Sequence, residues 1–156
     1  MFDIIHASLL RQGKGLELLS SLLDEEYQHL LKHDTDAIAA VEFSIQELLR
    51  QLAVEKLTVV RLLEGVRVME FAATLPQEEG NALTQAYLHV DTTEQQSARL
   101  ASRNAQLSLA LLDQSSRNLN TLTSQIVPKK PENYAPRNRN RYGVSHPEAA
   151  LISRRF

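Results

Sequence analysis

Apolar residues recur along this chain at steps of three and four, most plainly between Asp36 and Ala73. Ile38, Val41, Ile45, Leu48, Leu52, Glu55, Val59, Leu62, Val66, Met69 and Ala73 follow that rhythm, and ten of these eleven positions are apolar. The period excludes a strand and predicts one unbroken helix of about 57 Å at 1.5 Å per residue. A strict 3.5-residue repeat keeps a narrow seam turned toward a partner helix. Leu49, Val60 and Leu63 widen the seam, as a bundle with more than one neighbour requires.

Leu9, Leu16, Leu23 and Leu30 recur every seven residues, with Ile5 and Leu19 in the next column, and predict a first helix from about Asp3 to Lys32. Gly13 and Gly15 each weaken its first half by about 1 kcal/mol relative to Ala, which marks a place for a kink or a late start. Asp34-Thr35-Asp36 offers side-chain acceptors for the free N–H groups of the next helix. Leu75-Pro76-Gln77-Glu78-Glu79-Gly80 ends the long helix and reverses the chain. A short helix over Asn81–Val90 is expected next. Asp91-Thr92-Thr93-Glu94 then reads as a capping box that opens a third long helix, from about Thr92 to Ile126.

The resulting fold class is all-α: an elongated antiparallel bundle of three long helices plus a short one, occupying residues 1–127. Composition agrees, since the 43% of apolar residues are mostly Leu and Ala and there are only five glycines and five prolines. After Val127 the character changes. Residues 1–127 hold ten Lys/Arg against seventeen Asp/Glu, a balance of −7, whereas residues 128–156 hold seven against two, a balance of +5. The latter segment carries four prolines and few large apolar residues, and is expected to be a disordered basic tail. The first residues lack the basic region of a secretory signal, and no apolar stretch approaches the roughly 20 residues needed to span a bilayer. A cytoplasmic location without membrane insertion is the expectation.

Chemistry-bearing patterns are sparse. There is no cysteine, hence no disulfide or thiolate site. Glu26 and His29 have the Glu-x-x-His spacing of helical di-iron sites, but a working site needs a second such pair and further inward glutamates. A helical-bundle metalloprotein is therefore a remote alternative, and no metal or other cofactor is expected. Glu55 occupies a core column of the long helix. It is either a buried acid with a raised pKa, a polar residue fixing register, a carboxylate near the bundle's edge, or one paired with a base of a neighbouring helix such as Lys56, Arg61 or Arg103. A lone carboxylate makes no active site, so the chain reads as a non-enzyme. Asn104, Gln114 and Asn118 lie on a face of the third helix beside Leu107 and Leu111, and are either ordinary surface residues or part of a surface left free for a partner peptide. Arg137 to Tyr142 is a basic run ending in an aromatic, but it is short and lies in an acidic chain. A protein-docking tail fits it better than nucleic acid.

Leu22-Leu23-Asp24-Glu25-Glu26-Tyr27-Gln28-His29-Leu30-Leu31-Lys32-His33-Asp34, with Ala37-Ile38 and Leu48-Leu49, resembles the FlgN-type flagellar export chaperones. Asn104 three residues before Leu107, the Leu111-Leu112 pair, and Tyr142-Gly143 in the tail extend the resemblance over nearly the whole chain. Ile45 stands where the family often has a Lys, and His146-Pro147 where a further Gly often follows. The resemblance implies a chaperone that binds hook–filament junction proteins in the cytoplasm and hands them to the flagellar type III export gate. It implies a client surface on the third helix, formed by Asn104, Leu107, Leu111, Leu112, Asn118, Leu119, Leu122 and Ile126. Arg139, Arg141, Tyr142 and Gly143 would dock on the gate. The protein would act as a monomer or homodimer. The competing reading is a structural coiled-coil or adaptor protein that uses the same heptads to self-associate.

Overall fold

A computed structural model describes residues 1–126, and every regular element among them is helical. Helix α1 spans Phe2–Lys32, α2 Thr35–Leu63, α3 Val68–Ala73 and α4 Gln77–Ile126. The all-α bundle read from the periodicity is the fold observed; the tail lies outside the described residues.

Helix α1 is the middle of the bundle. Its leucine column (Leu9, Leu16, Leu23 and Leu30, joined by Ile5 and Leu19) is buried as the seven-residue spacing requires. Helix α2 packs on one flank in the antiparallel sense, with Glu55 beside Ser8 and Arg11, and Leu52 beside Gly15. Helix α4 packs on the other flank, parallel to α1, with His89 beside Gly13, Ser97 beside Leu16 and Asn104 beside Leu23. The two glycines explain these close approaches. A Cβ on Gly13 would lie 2.8 Å from the His89 ring, and one on Gly15 2.8 Å from a Leu52 methyl. The expected kink or late start of α1 does not occur. The glycines are gaps that neighbouring side chains fill.

Helix α1 ends where His33 takes a left-handed conformation (φ 57°). The N–H groups of His33 and Asp34 donate back to the carbonyls of Leu30 and His29 at 3.2 and 3.1 Å, which satisfies two otherwise unpaired acceptors. Asp34 then accepts from the Ala37 N–H at 3.1 Å and caps α2, as its sequence position indicated.

Two helix boundaries differ from the sequence expectation. The helix expected to run from Asp36 to Ala73 stops at Leu63. Glu64 (φ 49°) and Gly65 (φ 94°) are both left-handed there, and the chain turns into α3. Val66 and Met69 continue the heptad count across this turn yet stay nearly half exposed, because apolar spacing does not register a two-residue reversal. The turn lets Ala72 of α3 bury beside Leu63 and Leu83 in the base of the core.

The second difference is α4, one helix of 50 residues rather than a short helix followed by a long one. Asp91-Thr92-Thr93-Glu94 is not a cap. Thr92 and Thr93 donate their hydroxyls to the carbonyls of Leu88 and His89 at 2.8 and 2.7 Å, the bonds of threonines inside a helix. The Asp91 carboxylate accepts from Gln95, and Glu94 pairs with Lys56 of α2. Leu83, Ala86 and Val90 upstream are buried in the same core as α1's leucines, so packing carries the helix through. The short helix is thus α3, not Asn81–Val90.

Gly65→Ala separates a turn from a helix interior by the sign of its effect. Nothing lies within 4 Å of a Cβ placed there, so only the backbone matters. The left-handed turn predicts a loss of about 1–2 kcal/mol in urea denaturation followed by circular dichroism. A continuous helix would instead gain about 1 kcal/mol.

Candidate protein-binding surface

The upper part of α4 is fixed to α1 by a polar clamp. Asn104 is 3% exposed, and its amide nitrogen donates to the Leu23 carbonyl at 2.6 Å and to the Glu26 carboxylate at 2.7 Å. Its amide oxygen accepts from Arg103 Nε at 3.3 Å. The Arg103 guanidinium lies 3.9 Å from the centre of the Tyr27 ring and donates to Asp24 at 2.9 Å. One turn of α4 therefore engages Leu23, Asp24, Glu26 and Tyr27. Lower down, Ser97 donates toward Leu16 and Thr93 carbonyls and meets the Ser20 hydroxyl at 3.0 Å.

This clamp corrects the expectation for Asn104. It does not belong to an open face, because its hydrogen-bonding groups are taken up within the bundle. Glu26 is accounted for in the same way, as an acceptor for Asn104. His29 sits 3.6 Å from Glu25 instead, so the Glu26–His29 spacing does not converge on a shared centre. Glu55 is not a buried acid with a raised pKa; it is half-buried and paired with a base of a neighbouring helix, as one reading expected, though the base is Arg11 and not Lys56, Arg61 or Arg103. Arg11 of α1 donates to both its oxygens at 2.8 and 3.0 Å, and the fully buried Ser8 hydroxyl donates at 2.6 Å. Those bonds, Arg11's first, hold the Glu55 carboxyl below the usual carboxylate range. Lys56 pairs with Glu94 and Arg103 with Asp24.

Beyond the clamp, α4 outruns its support. With Leu23 level with Asn104 and α1 ending at Lys32, α4 extends about 20 Å past the end of α1. Leu107 and Leu111 are half-buried near that end. Past them, Leu112 (64% exposed), Leu119 (64%), Leu122 (55%) and Ile126 (78%) form a heptad-spaced stripe open to solvent. Gln114 and Asn118 are exposed beside it. Leu109 is exposed as well and was not among the residues singled out from sequence; its place one residue off the stripe hid it. Arg139, Arg141, Tyr142 and Gly143 lie outside the described residues.

A second apolar surface comes from the way three helices share one centre. Helices α2 and α4 lean on α1 from either side and stand further from each other than from it. Between them runs a groove of about 360 Å³, floored by Leu16, Leu19 and Leu23 and walled by Ile45, Leu49, Ala53, Ala98 and Ala101. The Lys56–Glu94 pair, at 3.0 Å, bridges its lower end. Sequence periodicity places Leu16, Leu19, Leu23, Ile45 and Leu49 on core-facing columns and gives no sign that α2 and α4 stay apart.

Among the described residues, this helical layer leaves an apolar groove and a stripe of leucines uncovered. The family profile described as FlgN protein matches residues 1–141, which takes in all four helices and stops just before Tyr142. The chain belongs to the FlgN family, a family of flagellar export chaperones that bind export substrates. No curated protein and no solved structure matches it significantly. No helix among the described residues is long and apolar enough to cross a membrane.

Two substitutions test the ties between helices. Asn104→Leu is expected to cost about 1–3 kcal/mol in urea denaturation, because it leaves the buried Leu23 carbonyl and the part-buried Glu26 carboxylate without their donor. Glu55→Gln is expected to cost about 1 kcal/mol at neutral pH, a modest figure because Arg11 is largely exposed. A carboxylate whose folded pKa is depressed stabilises above its ordinary value of about 4.3 and loses that effect as pH falls through the lower folded value. The difference between wild type and Glu55→Gln in denaturation should therefore shrink below about pH 4.

Proposed function

We propose that this chain acts in the cytoplasm, binds the terminal segments of hook–filament junction proteins and delivers them to the flagellar type III export gate. The observation that carries the reading is the stripe of Leu112, Leu119, Leu122 and Ile126 on a helix end that no other described element covers. Leu107, Leu111 and Asn118 border it and complete the client surface. Asn104 holds the helix in place from beneath and touches no client.

A client segment folding as an amphipathic helix along the stripe would match its spacing of three, four and seven residues. Fully burying four such side chains favours binding by about 6–12 kcal/mol gross. Ordering the client and losing rigid-body freedom take back much of that. The balance gives moderate affinity, which suits a chaperone that must release its client. No nucleotide or metal enters this scheme. In the tail, Arg139, Arg141, Tyr142 and Gly143 would contact the gate, so delivery and holding use separate parts of the chain.

The seven-residue spacing of Leu112, Leu119 and Ile126 also supports a second reading, in which the stripe pairs with its counterpart in another copy as a coiled coil.

Leu119→Asp with Leu122→Asp distinguishes the two. Both residues are exposed and lie beyond α1, so helical circular dichroism should stay unchanged. Calorimetric titration with a junction-protein terminal segment should show affinity lowered at least about tenfold, since each lost contact is worth about 1.5 kcal/mol or more. Unchanged affinity would move the client site elsewhere. A dimer that dissociates in the variant, in sedimentation experiments without client, would support the coiled-coil reading.

A further inference from the structure

The groove and the leucine stripe are two halves of one line along α4. Glu94, Ala98 and Ala101 wall the groove. The same steps of three and four continue through Ala105 and Ser108, both exposed. They then run through Leu112, Ser115, Leu119, Leu122 and Ile126, also exposed apart from the helix itself. From Ala98 to Ser108 the line is small, and beyond it every position but Ser115 is large. Arg99, Arg103, Asp113 and Arg117, the charged residues of α4 after Glu94, fall off this line on other sides of the helix. An occupant therefore finds room at one end, bulk at the other and no charge between.

We propose that the occupant is a second copy of the chain, lying antiparallel about a twofold axis near residues 113 and 114. In that register Ile126 packs on the partner's Ala101, Leu122 on the partner's Ala105, Leu119 on the partner's Ser108 and Leu112 on the partner's Ser115. Each layer sets a large side chain against a small one, and the twofold repeats it, which is how close-packed helices fill space. Ile126 thereby enters the mouth of the partner's groove, of which Ala101 is the last wall residue. A parallel pair would instead set small on small at Ala101, Ala105 and Ser108 and leave those layers empty.

The ends of the bundle fix the register. Leu23 is level with Asn104, so Lys32 at the end of α1 is level with Asp113, and two copies meet end to end at the axis. One heptad inward would drive those ends about 10 Å into each other. One heptad outward would set Leu122 on Leu112, large on large. Leu109, exposed and just off the line, comes to lie against the partner's Ser116. Ten large side chains, five from each copy, thus leave water, on the order of 1,000 Å² of surface, enough for a specific interface. The pairing covers the stripe, so a client must displace the second copy. That consequence rests on the client reading above, whereas the pairing itself does not.

Because the chain has no cysteine, introduced ones report the pairing without background. Full-length Ser108→Cys and Leu119→Cys chains, mixed and oxidised, should form the mixed disulfide in large excess over either like one. In the antiparallel pair like residues lie about 16 Å apart along the axis, beyond the roughly 7 Å between Cα atoms that a disulfide spans. Like disulfides in excess would show a parallel pair and overturn the proposal. So would a wild-type chain that sediments as a monomer up to about 100 μM, where a contact of this size is populated. Ala105→Glu puts a carboxylate opposite Leu122 at a position exposed in the single chain. It should halve the sedimenting mass with helical circular dichroism unchanged. The stripe stays intact in that variant, so a junction-protein terminal segment should bind it about tenfold more tightly where nine-tenths of the wild type is paired. Equal affinity, or a client bound to an intact dimer, would refute displacement. No binding to either protein would refute the client reading and leave the cross-linked dimer standing.

Discussion

The double use of helix α1 is the constraint on which the rest of the structure depends. Its leucine column is buried from two sides at once, by α2 antiparallel to it and by α4 parallel to it. Gly13 and Gly15, two residues apart, open opposite flanks to His89 and Leu52. With α1 in the centre, α2 and α4 need not approach each other, and above the Lys56–Glu94 bridge they do not close over it. The apolar groove follows from that arrangement of the core.

Apolar packing alone leaves helices free to slide by a turn, since leucines seven residues apart are nearly equivalent. The polar ties remove that freedom. Ser8 and Arg11 meet Glu55 at one place along α2, while Ser97 and Asn104 meet Leu16 and Leu23 at one place each along α4. Each tie pairs a specific donor with a specific acceptor, and a one-turn slip would leave buried groups such as Ser8 and Asn104 without partners. These contacts set where α1 stops relative to α4, and hence how much of α4 projects.

The helices themselves were legible in the sequence because burial imposes a period. The leucine column of α1, the Asp34 cap and the exposed leucines of α4 follow from spacing and turn chemistry. Gly65 escaped notice because the heptads of Val66 and Met69 keep count across the turn although the chain changes direction. Asp91 to Glu94 misled in the opposite sense, since the residues of a cap also serve inside a helix when neighbouring turns are anchored. Asn104 was recognised as a notable residue, but its role depends on which carbonyl lies opposite, and that is a property of the assembled pair of helices. Of the exposed stripe on α4, the leucines were readable. The groove was not, because its existence depends on the distance between two helices that one-dimensional patterning leaves open.

The single helix α4 passes from a tightly packed environment to none within its own length. Near Leu83 its turns are enclosed, at Asn104 they are clamped, and from Leu112 onward no other described element buries them. Opening a turn near the tip breaks only local bonds, whereas opening one near the base requires the whole core to come apart. Backbone amides along α4 therefore exchange with solvent at rates graded over its length, slowest at the base and fastest toward Ile126. One end of a continuous helix is a rigid mount, and the other can unwind and rewind against whatever arrives without loosening the bundle beneath.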